Sequence, residues 1–108
     1  MIDLHCHLLP GLDDGPATLD DALAMARIAV ADGITHSVCT PHIYPGLYPH
    51  TAVVIAAAVT RFRQELLAHD IPLAVSAGAD IHLTPECLTA LSDGRYPTLA
   101  ASRYFLLE

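Results

Sequence analysis

Lysine is absent from the 108 residues, and five arginines stand against twelve acidic side chains. The net charge of −7 speaks against a surface built for a nucleic-acid backbone. It leaves a phosphorylated substrate open, because bound divalent cations invert the local field. Cysteine is sparse: Cys6, Cys39 and Cys87 form no C-x-x-C pair. An odd count without zinc spacing predicts reduced thiols in a cytoplasmic protein. The first residues show neither a basic region nor an apolar run of leader length, so no leader segment is expected. No uninterrupted apolar run approaches the roughly 18 residues of a membrane span, so no membrane insertion is expected. The residues six places after the cysteines are Leu12, Pro45 and Asp93, not arginine, which excludes the phosphate cradle of cysteine-based phosphatases. Neither G-x-x-x-x-G-K-[ST] nor G-x-G-x-x-G occurs, so nucleotide-binding fingerprints are absent as well.

What is present is a 53% hydrophobic composition, much of it alanine, in a chain long enough for one domain with a modest core. Residues 2–5 of "MIDLH" read as a strand. "PATLDDALAMARIAVADG" reads as a helix, with Thr18 as N-cap, Asp20 and Asp21 in the first turn, and Gly33 at the C-terminal left-handed position. Its apolar stripe runs Leu19, Leu23, Ala26, Val30. "ITHSVCT" predicts a second strand ended by Pro41, and "PHIYPGLYPH" a loop. "TAVVIAAAVTRFRQELLAHD" predicts a second helix with Val54, Ala58, Phe62 and Leu66 on one face. "IPLAVSAGADI" is a third strand. "TPECLTALSDG" starts a short helix with Thr84 as N-cap and Pro85 at its first position, ended by Gly94. "SRYFLLE" is a fourth strand. The fold class is therefore α/β, with four parallel strands and intervening helices. Residues 1–108 read as a single domain. Ending at Glu108 within a strand, they read as a C-terminally truncated fragment.

In such folds chemistry gathers at the C-terminal ends of the strands. His5 and His7 end the first strand, His42 the second, Asp80 the third and Glu108 the fourth, while Asp14 lies in the first loop on the same rim. In a strand, His5 and His7 share a face and Cys6 points away. With seven histidines in the chain, an H-x-H pair also arises by chance. The shared placement of six candidate ligands is the stronger signal. Their imidazole and carboxylate chemistry suits Zn²⁺, Mn²⁺ or Fe. His36 inside the second strand and His69 at the end of the second helix are not expected to ligate. His50 and His82 lie near the rim as outer partners.

"MIDLHCHLLPGLDDGP", "DGITHSVCTPH", "AGADIHLTPE" and "SRYFLLE" together resemble successive blocks of the CpsB/CapC-type protein-tyrosine phosphatases, a branch of the PHP (polymerase and histidinol phosphatase) family. The resemblance runs the length of the chain. It implies the N-terminal part of a distorted seven-stranded β/α barrel, the whole being roughly twice this length. It also implies up to three divalent metal ions, manganese first. The metal and catalytic set carried over by motif is His5, His7, Asp14, His42, Asp80 and Glu108, with Asp13 shaping the turn. The implied activity is hydrolysis of phosphotyrosine on proteins by metal-activated hydroxide. The implied partner is a bacterial tyrosine kinase of capsular or exopolysaccharide export, and an oligomer is possible. Two departures qualify the resemblance. Asp80 stands where the family has a metal-bridging glutamate, about 1.5 Å longer in reach. The family's remaining ligands, a histidine and then a closely spaced aspartate and histidine, lie in a second half that this chain lacks, so weak or incomplete metal binding is expected of it. Another PHP phosphoesterase activity, of the histidinol-phosphatase or nuclease kind, and a catalytically incomplete binding module are the competing readings.

Overall fold

The computed structural model describes all 108 residues. β1 (Ile2–Cys6) leads through a long loop to α1 (Leu19–Ala31), which returns to β2 (His36–Cys39) and β3 (His42–Ile43). α2 (Ala52–Ala68) is followed by β4 (Ala74–Ala77) and β5 (Asp80–Ile81), then by α3 (Cys87–Ser92), a short 3-10 turn at Leu99–Ala101, and β6 (Leu106–Leu107). All strand pairs are parallel, in two three-stranded sheets ordered β1-β2-β4 and β3-β5-β6. No helix is long and apolar enough to cross a membrane.

Six strands thus stand where four were expected from the sequence. The second expected strand stops before Pro41, which has no N–H to give the ladder, but pairing resumes as β3 at His42–Ile43, inside the stretch expected as a loop; the third is broken at Gly78–Ala79. Register survives both breaks: His36 pairs Ala74 and Cys39 pairs Ala77 before them, and His42 pairs Asp80 after them, at an unchanged offset. The two sheets therefore follow one another along the same chain segments. The last strand is confined to Leu106–Leu107 because Tyr104 N donates to Ser102 Oγ in a local turn.

Thr18 Oγ1 accepts from Asp21 N at 3.2 Å, capping α1, and Gly33 takes a φ of +92° beyond its end. The stripe read from sequence faces inward, with Leu23 and Ala26 buried and Leu19 and Val30 packed at the margin. In α2 the buried face is Ile55, Ala58, Val59, Phe62 and Leu66. Val54 is 45% exposed instead, because the buried face runs through Ile55 and Val59, which leaves Val54 about 100° round the helix from it. Thr84 and Pro85 do not start α3. Cys87 N bonds Thr84 O at 3.2 Å, so these residues form a turn before a helix whose N-cap is Glu86. The two helices bury their apolar faces with Leu8, Leu9, Cys39, Ile43, Val75 and Ile81 in one core that holds the strand ends in place.

Candidate functional site

The loop after β1 carries the first candidates, and its geometry is set by Asp13. Oδ1 of Asp13 accepts from Gly15 N at 2.9 Å, the Asx-turn signature of a D-x-G stretch. Oδ2 accepts from His42 N at 3.0 Å and faces His7 Nδ1 at 3.0 Å. Burial pushes the Asp13 carboxyl upward, but the Gly15 N–H, the His7 ring and the His42 N–H outweigh it and hold it below the usual carboxylate range. An ionised carboxylate only accepts, so His7 carries its proton on Nδ1 and turns the lone pair of Nε2 outward. A Cβ on Gly15 would stand 2.7 Å from the His7 carbonyl oxygen, so only glycine closes this turn. Asp13, read from sequence as a turn residue, is therefore also the partner that orients His7. The D-x-G spacing announces the turn but not the histidine.

β1 is anchored beside this loop by Thr40, fully buried, whose Oγ1 accepts from Cys6 N and donates to Cys6 O, both at 3.1 Å. Thr40 has no sequence signal of its own. Cys6 turns from the rim: its thiol donates to Val38 O at 3.2 Å. The Cys39 thiol, held against the Cys6 sulfur and wholly buried, is pushed far above the ordinary thiol range.

His5, His7, Asp14, His42, Asp80 and Glu108 converge on one rim. Asp80, buried at the start of β5, is central. Its Oδ2 lies 3.5 Å from His5 Nε2, 3.9 Å from His7 Nε2 and 3.3 Å from His42 Nδ1. His5 Nε2 and His7 Nε2 are 3.3 Å apart. These separations are longer than charge-assisted hydrogen bonds. The point equidistant from His5 Nε2, His7 Nε2 and Asp80 Oδ2 lies about 2.1 Å from each, the length of a zinc–imidazole or zinc–carboxylate bond. The three side chains thus fit a small divalent cation.

Two further groups share these residues. His42 Nδ1 is 3.3 Å from Glu108 Oε2 as well as from Asp80, making a His42, Asp80, Glu108 group. His42 Nε2 is 3.4 Å from Asp14 Oδ1, in a group with His7 and Asp13. A neutral imidazole has one lone pair, so His42 serves one of these two groups at a time. Asp80 belongs to two groups through one oxygen, despite being shorter than glutamate. His82 Nε2 lies 3.5 Å from Glu108 Oε2, and His50 Nε2 donates to Leu12 O at 2.6 Å, steadying the first loop. His36 bonds Ser76 Oγ in the sheet, and His69 caps α2, both away from the rim.

A family profile described as "Capsular polysaccharide synthesis, CpsB/CapC" matches residues 1–108. The chain belongs to the CpsB/CapC family. Among family relatives, the tyrosine-protein phosphatase YwqE of Bacillus subtilis (strain 168) is 36% identical over all of this chain and 42% of its own length. The tyrosine-protein phosphatase CpsB of Streptococcus pneumoniae is 31% identical over all of this chain and 44% of its own length. A crystal structure from work on YwqE of Bacillus subtilis and CpsB of Streptococcus pneumoniae, there called unique metal-dependent tyrosine phosphatases, superposes with a TM-score of 0.94 at 36% identity. It covers 99% of this chain and 43% of the solved one. The chain therefore spans less than half the length of these CpsB/CapC relatives.

Proposed function

We propose that this chain contributes the first ligands of a metal-dependent phosphatase that removes phosphate from tyrosine in proteins, acting in the control of capsular or exopolysaccharide synthesis. The observation that carries the reading is the convergence of His5, His7 and Asp80 at cation-ligand spacing beside His42, Asp14 and Glu108. The names of the relatives support the reaction, and the family description supports the pathway. Manganese, with iron or zinc as alternatives, suits the mixed imidazole and carboxylate donors. When bound, such ions supply a nucleophilic water at neutral pH and neutralise charge on the phosphoryl oxygens. The chain's own residues hold the rim. Asp13 fixes the His7 tautomer, Thr40 and the β1–β2 ladder fix the height of His5, and the His42–Asp80 pairing fixes the spacing between groups.

The same reading makes the fold the N-terminal part of a seven-stranded PHP barrel and residues 1–108 part of a single PHP domain, which the match to 43% of the solved chain supports. It takes a tyrosine kinase of polysaccharide export as the phosphoprotein partner. It places the protein in the cytoplasm, where its three free thiols stay reduced. The test is hydrolysis of a phosphotyrosine peptide by the full-length protein with Mn²⁺. Turnover abolished by a chelator and restored by Mn²⁺ is the expected result; turnover that survives exhaustive chelation sinks the proposal.

A further inference from the structure

The turn between β3 and α2 carries two tyrosines that the ligand set does not use. Tyr44 N donates to Tyr48 O at 2.9 Å and Tyr48 N to Tyr44 O at 2.7 Å, closing a tight loop with Gly46 at a φ of +87°. Its far end is fastened by His50 to Leu12 O. The tyrosines are thus held on a pinned turn next to the rim, not on a free loop. Each ring lies nearly parallel to an imidazole of the site. Tyr48 stacks on His42 with centroids 5.9 Å apart and planes at 19°. Tyr44 stacks on His82 at 3.9 Å and 27°, and His82 in turn faces Glu108. Tyr44 remains 41% exposed, so part of its ring is open to a ligand.

We propose that Tyr44 and Tyr48 form an aromatic wall flanking the rim and select phosphomonoesters of phenols over those of aliphatic alcohols. The inference rests on the phosphatase reading and adds the residues that choose the alcohol. In a phenyl ester the ring begins one oxygen from phosphorus. A phosphoryl group at the His42, Asp80, Glu108 group therefore leaves that ring beside His42, on which Tyr48 stacks, and near His82, on which Tyr44 stacks and which faces Glu108; aromatic pairs attract at centroid separations of roughly 4.5–7 Å. An aliphatic ester at the same place offers no π face and gains nothing from the wall. One offset aromatic pair corresponds to a preference of about two- to tenfold per tyrosine.

The experiment measures inhibition constants of phenylphosphonate and propylphosphonate, which cannot be hydrolysed, on the full-length Mn²⁺-loaded protein turning over p-nitrophenyl phosphate. Wild type prefers the phenyl compound. Tyr44→Leu and Tyr48→Leu each lose about two- to tenfold of that preference, while Tyr44→Phe and Tyr48→Phe keep it, since the ring and not the hydroxyl is required. Equal inhibition of wild type by both phosphonates, or leucine variants that retain the preference, overturns the inference while leaving the phosphatase reading intact. Failure of wild type to hydrolyse any phosphomonoester with metal bound removes that reading, and the inference with it. Thermal melts of the four variants separate lost selectivity from lost fold.

Discussion

Asp13→Asn keeps the shape and replaces one carboxylate oxygen by an NH₂ group, and its effect follows from three contacts. In the native chain Oδ1 takes the Gly15 N–H, while Oδ2 takes the His42 N–H and the His7 ring, from a side chain only 1% exposed. An amide has one accepting oxygen. Aimed at Gly15, it turns its NH₂ group on the His42 N–H; flipped, it abandons Gly15. Either way one backbone donor loses its partner, at a cost of about 1–3 kcal/mol. Flipped, the amide leaves His7 a neutral oxygen in place of its carboxylate partner; aimed at Gly15, it reverses the hydrogen bond to His7, drawing the ring proton from Nδ1 to Nε2. That proton then points at His5 and Asp80, where a lone pair is needed to hold a cation. Loss of such an orienting partner lowers metal affinity by about 10- to 100-fold. Mn²⁺ affinity by chelator competition and stability by urea unfolding of the metal-free protein report the two effects separately. An Asp13→Asn variant that binds Mn²⁺ as tightly as wild type refutes the tautomer reasoning, whatever its stability.

Three other outcomes are expected. Gly15→Ala sets a methyl 2.7 Å from the His7 carbonyl oxygen, so the loop bearing Asp13 and Asp14 shifts and Mn²⁺ affinity falls by about tenfold or more; wild-type affinity by chelator competition contradicts this. Phe62→Ala empties the centre of the α2 face, where Phe62 is 2% exposed, and lowers unfolding free energy by about 3–5 kcal/mol in urea titration. Cys39 is buried and its thiol is held well above the ordinary range, so raising pH through 9 should not speed its alkylation in the native protein, whereas unfolding should; peptide mass spectrometry after iodoacetamide reads this directly.

The alternation of strands and helices was legible because α1 and α2 each carry a stripe of apolar residues and a capping threonine, and because β-branched runs end at glycine or proline. The breaks at Thr40–Pro41 and Gly78–Ala79 were half legible. Proline signals the end of a ladder, but nothing local says that pairing resumes two residues later in the same register. Val54 was misplaced because helical spacing fixes a period and not a phase; the phase is set by the tertiary contacts of Ile55 and Val59. Thr84-Pro85 satisfies the rule for a helix start, yet the same pair suits the turn that the chain makes there. At the site, His5, His7, His42, Asp80 and Glu108 could be gathered from sequence because all sit at strand ends. Asp13 could not be assigned its role because it meets His7 and the His42 N–H only once the loop has folded onto β3, and Thr40 because it acts on Cys6, thirty-four positions away. The stacking of Tyr44 and Tyr48 depends likewise on the fold of one turn against two strand ends.

The central claim is that His5, His7 and Asp80 hold a divalent cation. Anomalous diffraction at the manganese edge, from crystals of the full-length protein grown with Mn²⁺, tests it most directly. The account predicts a peak within bonding distance of His5 Nε2, His7 Nε2 and Asp80 Oδ2. Ordered side chains at those positions with no peak among them, or manganese bound only elsewhere, would contradict it.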